Sequence, residues 1–476
     1  MDRLIVREMA SARGLDPGRA SVVAELVTSW DRHYGGNERR ERYYRGDVAV
    51  KDLGVSVTPQ MMRRLRPHVD WAAKCVNWWA DRVQFEGYRC PDEDAKARLD
   101  EVCRLNDMDN LVRKVTLSAL KNPPAFLSVT GGDAGRGEPD VIVSGYPATA
   151  ASALYSDALK RISAGLVVVD TAWNASHTRR RPTLAYVLTD GESWTLRSTG
   201  AGWVAEVAEH GMGRVPMEPV VYHGTLERPF GRSRITKTVR DLVDDAQREM
   251  ANMAATAAFA AAPQKYFLGA DKAAAEKLAD SPFGAFIGSI FTATPNRNGN
   301  TPQFGQLAQL TMQPHSDYMH LLASMFSDAT GVPMSSLGFS TTNPSSADAI
   351  IASKEDAIVD IAGFVSSLSR SMEAVAWMAL AAQDGTGYAE ATRVYDVSAT
   401  FADPATPSPV SMSAAVQQRV AAFPWMADSD VPLRDLGYDE DTIRELESDR
   451  RRAQYRSTVT QAAQAAGLDL SGGDEK

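Results

Sequence analysis

The spacing of apolar residues changes period along this chain, and each change marks a different kind of element. From Pro67, apolar residues recur at Val69, Ala72, Ala73, Val76, Trp79, Ala80 and Val83 and stop near Gly87, which is the face of one helix. Residues 1 to about 115 read as mainly helical on this basis. Trp71, Trp78 and Trp79 sit along that stripe, where large aromatics form core rather than a ligand cage. From about 116 to 224 the period shortens. Val141-Ile142-Val143, Leu166 to Val169, Leu184 to Leu188, Trp194 to Leu196, Trp203 to Val207 and Pro219 to Tyr222 are short β-rich runs. Asp190-Gly191 and Thr199-Gly200-Ala201-Gly202 separate three of them as hairpin turns, so the spacing predicts an antiparallel meander.

A long amphipathic helix follows. Pro229 to Arg232 is a loop and Ser233 is the expected N-cap. Ile235, Val239, Leu242, Val243, Ala246 and Met250 mark one face, and Arg234, Lys237, Asp241, Asp244, Asp245 and Arg248 the other. The helix can run to Ala262 before Pro263 stops it, ~45 Å at ~1.5 Å per residue. Its last third is rich in Ala, which suits close approach of other helices.

Residues 263 to 315 read as an insert, with a strand at Tyr266 to Gly269, a helix from Ala270 to Ala279, a strand from Ala285 to Phe291 and a loop at 294–300. Ser316 or Asp317 is the expected cap of a helix through about Ala329, ended by Gly331 and Pro333. The stretch from Gly331 to Ser346 contains no Lys, Arg, Asp or Glu. Ser345-x-x-Asp348 then resembles a capping box opening a helix to about Gln383. Thr392 to Val397 reads as a strand, and from Ser411 the chain returns to helix.

Composition narrows the function classes. The 476 residues are 44% hydrophobic and 23% charged, enough apolar content for two or three packed units. The net charge of −9 argues against a protein that grips nucleic acid through its phosphates. Three cysteines, Cys75, Cys90 and Cys103, without Cys-x-x-Cys spacing, point away from disulfides and structural zinc. Met1 to Glu8 carries no apolar signal-peptide core, and Met250 to Pro263 is too short to span a bilayer. Gly131 to Gly137 lacks the Lys-Ser/Thr of a phosphate loop and carries Asp133, so it reads as a turn. His-Glu-x-x-His, Gly-x-Ser-x-Gly and the EF-hand loop are absent. Asp241, Asp244 and Asp245 can be imagined as a metal-binding set, but the solvated or pore-lining face of a helix is the preferred reading. Catalytic residues, cofactors and metals are not expected.

A set of strings in order resembles the portal proteins of tailed double-stranded-DNA bacteriophages, the siphophage-type portal family. Asn77-Trp78-Trp79-Ala80-Asp81-Arg82-Val83 with Phe85-Glu86-Gly87-Tyr88 is similar to an early helix and its exit. Phe230-Gly231-Arg232-Ser233 leading to Val239-x-x-Leu242-Val243-Asp244-Asp245-Ala246 resembles the entry to a channel helix, and Ala261 to Gly269 the strand leaving it. Thr330-Gly331-Val332-Pro333, Leu337-Gly338-Phe339 and Asn343 to Ile350 resemble the loop and helix start at the channel's narrowest part. The match spans roughly residues 40 to 385.

The resemblance implies an α+β, portal-like fold. Residues 1–228 would be an N-terminal wing of helices then β meander, 229–262 stem helix 1, 263–315 a small α/β clip and 316–330 stem helix 2. A tunnel loop at 331–346, a long wing helix with wing return at 347–410 and a helical crown and tail at 411–476 would complete it. It further implies a homo-oligomeric ring, usually of twelve, in the virion at one capsid vertex after assembly in the host cytoplasm. Its partners would be double-stranded DNA passing through, the terminase, the head–tail adaptor, and the major capsid and scaffold proteins, with no membrane. The implied channel lining is Lys237, Asp241, Asp244, Asp245 and Arg248 on the stem, with Ser335, Ser336, Ser340, Thr341, Thr342 and Asn343 on the loop. Two other readings compete: a nucleic-acid-processing enzyme with an acidic metal site near Asp241, and a head–tail structural protein without a channel.

Overall fold

The run Leu166-Val167-Val168 is buried from both sides of a sheet, so its residues do not alternate with polar ones. Leu166 and Val168 face one hydrophobic cluster and Val167 faces another. The computed structural model describes residues 3–49, 67–174, 176–178, 180–261, 265–268, 303–306, 311–339, 355–405, 409–438 and 440–465. The chain divides into two units, Met1–Pro404 and Ala405–Lys476.

The first unit is built on antiparallel sheets and the helices that cover them. Its opening helices are α1 (Arg3–Glu8), α2 (Pro17–Tyr44) and α3 (Trp71–Ala80), followed by strand β1 (Phe85–Arg89), α4 (Glu93–Leu105) and α5 (Met108–Lys121). Strands β2 (Ala125–Gly131) and β3 (Val141–Tyr146) pair with β9 (Met217–Val220) in the order β3-β2-β9. Between them in sequence lie β4 (Ala151–Ser156), β5 (Arg161–Trp173), β6 (Arg180–Leu188), β7 (Glu192–Thr199) and β8 (Gly202–Glu209), a five-stranded antiparallel meander. Both expected hairpins are present: Leu188 pairs with Ser193, and Thr199 with Gly202.

Three apolar clusters hold these layers. α2 lays Val23, Leu26, Val27 and Trp30 on the meander face that carries Leu166, Val168, Val187 and Leu196. The opposite face, with Ile162, Val167 and Leu188, meets Phe126 and Met217 of the smaller sheet. The largest cluster joins α3, α4 and α5 to three long helices: α6 (Lys237–Ala261), α7 (Gln313–Thr330) and α8 (Glu355–Asp384). Trp71 and Trp79 are buried within it, as the helical stripe predicts. Strands β10 (Lys265–Leu268) and β11 (Gln303–Gln306) pair with each other, and β12 pairs with β1 near the unit's C-terminal end (Ser398–Phe401).

Several local expectations are corrected. Ser233 does not cap the long helix; its hydroxyl donates to the Lys121 carbonyl at 2.5 Å and accepts from the Ile235 N–H at 2.9 Å. Thr236 caps α6 instead, accepting from the Val239 N–H. α7 starts at Gln313, before Ser316, because Pro314 fits the first turn, where its missing N–H costs nothing. Thr392 to Val397 is not a strand: Tyr388–Val394 forms helix α9, and Val394 is exposed with no sheet face to cover it. The expected helix 270–279, the strand 285–291, the loop 294–300 and the capping box at Ser345 lie outside the described residues.

The second unit contains α10 (Pro409–Ala422), α11 (Val431–Asp435) and α12 (Glu440–Ala465). Arg419 pairs with Asp435 at 2.5 Å and Arg450 with Asp428 at 2.6 Å.

Candidate functional site

Helices α6 and α7 run against each other, and α6 carries five of the eleven residues that the sequence singled out. Val239, Leu242, Val243 and Ala246 on α6 share the main cluster with Met319, Leu322, Ala323 and Phe326 on α7. Farther along, His315 bridges the helices. Its Nδ1 lies 2.5 Å from Glu249 Oε1, and its Nε2 lies 3.0 Å from Thr256 Oγ1. Beyond that bridge the described chain continues as the β10–β11 pair, so two antiparallel strands lie between the helices in sequence.

The base of the pair is tied to the body through one buried cation. Arg234, just before α6, donates through Nε to the Cys75 carbonyl on α3 at 2.9 Å and through Nη1 to the Tyr222 hydroxyl at 2.9 Å. Its Nη2 donates to the Thr330 carbonyl at the end of α7, which also accepts from Trp79 Nε1 at 3.3 Å. Burial lowers the Arg234 pKa, while Tyr222, Cys75 and Asp360 work against that. Tyr222 reaches Asp360 of α8 at 3.4 Å, and His223 meets the same carboxylate at 2.7 Å. α3, α6, α7 and α8 therefore converge on a single joint. The chain then leaves α7 through Gly331, whose left-handed φ of 67° ends the helix as expected.

The expected lining residues separate into three groups. Lys237 is exposed and pairs with Asp241 at 2.6 Å, and Asp245 pairs with Arg248. Asp244 is not on the solvated face: only 2% of its surface is exposed, and its carboxylate accepts from the Tyr43 hydroxyl at 2.9 Å. Burial, with the adjacent Asp244 carboxylate, pushes the Tyr43 pKa up to about 12. Ser335 is exposed and Ser336 half-buried in the loop after α7, whereas Ser340, Thr341, Thr342 and Asn343 lie outside the described residues. The three aspartates thus face three different partners instead of converging. Among the described residues no group of three His, Cys, Asp or Glu is placed to hold a metal ion.

The sequence reading missed Arg234 as a hub because it sits on the polar face of an amphipathic pattern. Of the aromatic pair that receives it, Trp79 lies more than a hundred residues back along the chain, while Tyr222 is 12 residues back but outside the helical pattern. It also missed a group of arginines, Arg39, Arg40 and Arg42 at the end of α2 with Arg240 on α6. None of the four makes a salt bridge to a carboxylate among the described residues. The signal available was the string Glu38-Arg39-Arg40-Glu41-Arg42.

No family model matches the chain. The portal protein of Mycobacterium phage D29 is 25% identical over 346 residues, 69% of this chain and 68% of that protein. The portal protein of Mycobacterium phage L5 is 26% identical over 354 residues, 70% of this chain and 69% of that protein. Among solved structures, a chain from the virion of a native gene transfer agent particle covers 85% of this chain and 99% of its own, with 13% identity and a TM-score of 0.45. One from the neck of the native gene transfer agent particle, computed with C12 symmetry, covers 78% and 90% with 14% identity and a TM-score of 0.43. The resemblance read from the sequence is borne out by the two phage relatives.

Proposed function

We propose that this chain is a phage portal subunit, one copy of a ring that conducts double-stranded DNA through a capsid vertex during packaging and ejection and then joins head to tail. The observation that carries this reading is the similarity to two portal proteins over about two thirds of the chain. The α6–α7 pair supports it physically: two helices side by side, with a strand pair between them in sequence, make a hairpin able to stand against its neighbours around an axis. In this assignment residues 229–262 and 316–330 are the stem, 263–315 the clip facing terminase and later the head–tail adaptor, and 331–346 the tunnel loop. Residues 1–228 and 347–410 form the wing, and 411–476 the crown. The ring has twelve copies, as the family resemblance implies.

The bore is lined by Lys237, Asp241, Asp245 and Arg248 together with the uncharged loop from Ser335 to Asn343. Paired charges and hydroxyls give passing phosphates no fixed partner, which suits a conduit better than a clamp. Asp244 acts differently, holding Tyr43 and so α2 against the stem. The chain does no bond-making chemistry here; a separate motor moves the DNA. Negative-stain images of the purified chain, paired with a mass from light scattering, test the reading. Rings of about twelve copies with an axial hole are expected, and particles of ring mass without a hole would overturn it.

A further inference from the structure

Among the described residues, arginines that make no salt bridge line one flank of α6, and carboxylates that make none line another. Arg39, Arg42 and Arg240 border a cleft of about 430 Å³ together with Tyr43, Lys237 and the Asp241 that pairs with Lys237. Arg40 lies close by: burial lowers its pKa first, and Arg240 and Arg39 lower it further. Lys237 also borders a second cleft, of about 600 Å³, whose wall carries Asp328 at the end of α7 and Asp356 at the start of α8, with Arg232, Arg234 and Asp360 deeper in the same lining. Asp328, Glu355 and Asp356 are exposed, and none makes a salt bridge among the described residues. Among the described residues neither these arginines nor these three carboxylates make a salt bridge, so the chain carries unbridged charge of both signs on either side of the start of α6.

The acidic surface extends into an apolar one. Tyr318, Leu321 and Met325 are 40%, 54% and 50% exposed on α7, and with Asp328 their spacing of three, four and three residues places them on one face. A solvent-facing apolar stripe ending in a carboxylate fits a helix partner with a basic patch at the matching level. The chain itself offers that patch beside α6.

We propose that the acidic, apolar face formed by α7 and the start of α8 in one copy seats against the arginine cleft of α2 and α6 in the next copy. The contact rests on the portal reading, since different surfaces meeting head to tail generate a closed ring when the rotation closes. A second copy fits better than a nucleic acid because the complement is on the same chain and the net charge of −9 repels polyanions.

Charge reversal in the full chain tests this. R39E/R42E and D328K/D356K should each weaken ring assembly on the order of tenfold, read as the protein concentration at half assembly by light scattering. The quadruple variant, with both signs exchanged, should recover most of the loss, and circular dichroism should show all variants folded. Rings of wild-type stability from both charge-reversed pairs would overturn the contact and leave the portal reading intact. Wild-type chain that never forms rings would overturn both. If R39E/R42E assembles normally but loses binding to a short DNA duplex in fluorescence anisotropy, the occupant is a polyanion and the proposal falls.

Discussion

The guanidinium of Arg234 lies 3.4 Å from the centre of the Trp79 ring, and its three nitrogens serve three different segments. Stacking compensates on the ring face for hydration that the buried cation has lost, and the fixed fork of donors sets the spacing of the ends it touches. Lysine has neither the plane nor the fork. Arg234→Lys is expected to remove the charged donor from the Cys75 or the Thr330 carbonyl, a loss of about 1.5–3 kcal/mol for each hydrogen bond lost, with Trp79 Nε1 still donating to Thr330. The Cys75 thiol reports on this joint, because it is fully buried and burial pushes its pKa up to about 12. Alkylation at pH 8, followed peptide by peptide, should leave Cys75 unmodified in the native chain and label it faster in Arg234→Lys. Equal Cys75 labelling in both proteins would show that the joint does not depend on the guanidinium.

Glu192 ties the start of α2 to the meander. Its carboxylate accepts from Arg19 at 2.7 and 3.0 Å and from Trp194 Nε1 at 2.7 Å, which lowers its pKa to about 2. A carboxylate whose folded pKa is depressed stabilises above its ordinary value, near 4.5, and the contribution is lost as pH falls through the folded value near 2. Wild type should therefore melt above Glu192→Gln at pH 7, and the gap should close between about pH 4.5 and 2. A gap unchanged across that window would place the stabilisation elsewhere.

How far the sequence reached depends on what each signal measures. The meander was legible because Asp190-Gly191 and Thr199 to Gly202 are turn chemistry, and turns fix antiparallel order locally. β4 was not, because Ala151-Ser152-Ala153-Leu154-Tyr155-Ser156 has little strand propensity and is held by burial between α2 and β5. The long helices were legible from their 3.6-residue stripes, but which polar residues face solvent was not. Arg234 and Asp244 share a nominal polar face with Lys237, yet Trp79 and Tyr43 bury the first two. Periodicity reports a helix's own faces and says nothing about an aromatic arriving from two hundred residues away.

The Tyr43–Asp244 bond should be measurable as stability of the α2–α6 contact. Tyr43→Phe keeps the ring and removes one donor to a buried carboxylate, a loss of about 1.5–3 kcal/mol by the usual range for hydrogen bonds to charged groups. Chemical denaturation with wild type and variant in parallel would read it. If Asp244 is a structural anchor, as its burial indicates, Asp244→Asn should cost a comparable amount; a lining role alone would leave stability unchanged.

Gly331 sets the exit from α7 into the uncharged loop, and two separate constraints act on it. Its φ of 67° lies in the left-handed region, which costs an L side chain about 1–2 kcal/mol. A Cβ placed there would also stand 2.9 Å from the Cβ of Ala357 in α8. Gly331→Ala is therefore expected to destabilise the first unit by more than the backbone term alone, lowering its melting temperature. Ala357→Gly removes the contact but loosens α8, at about 1 kcal/mol for a glycine in a helix interior. Comparing both single variants with the double separates the two constraints. If the side-chain clash contributes, the double variant should lose less stability than the two single losses added together. Strict additivity would leave the backbone conformation as the whole reason for glycine at this exit.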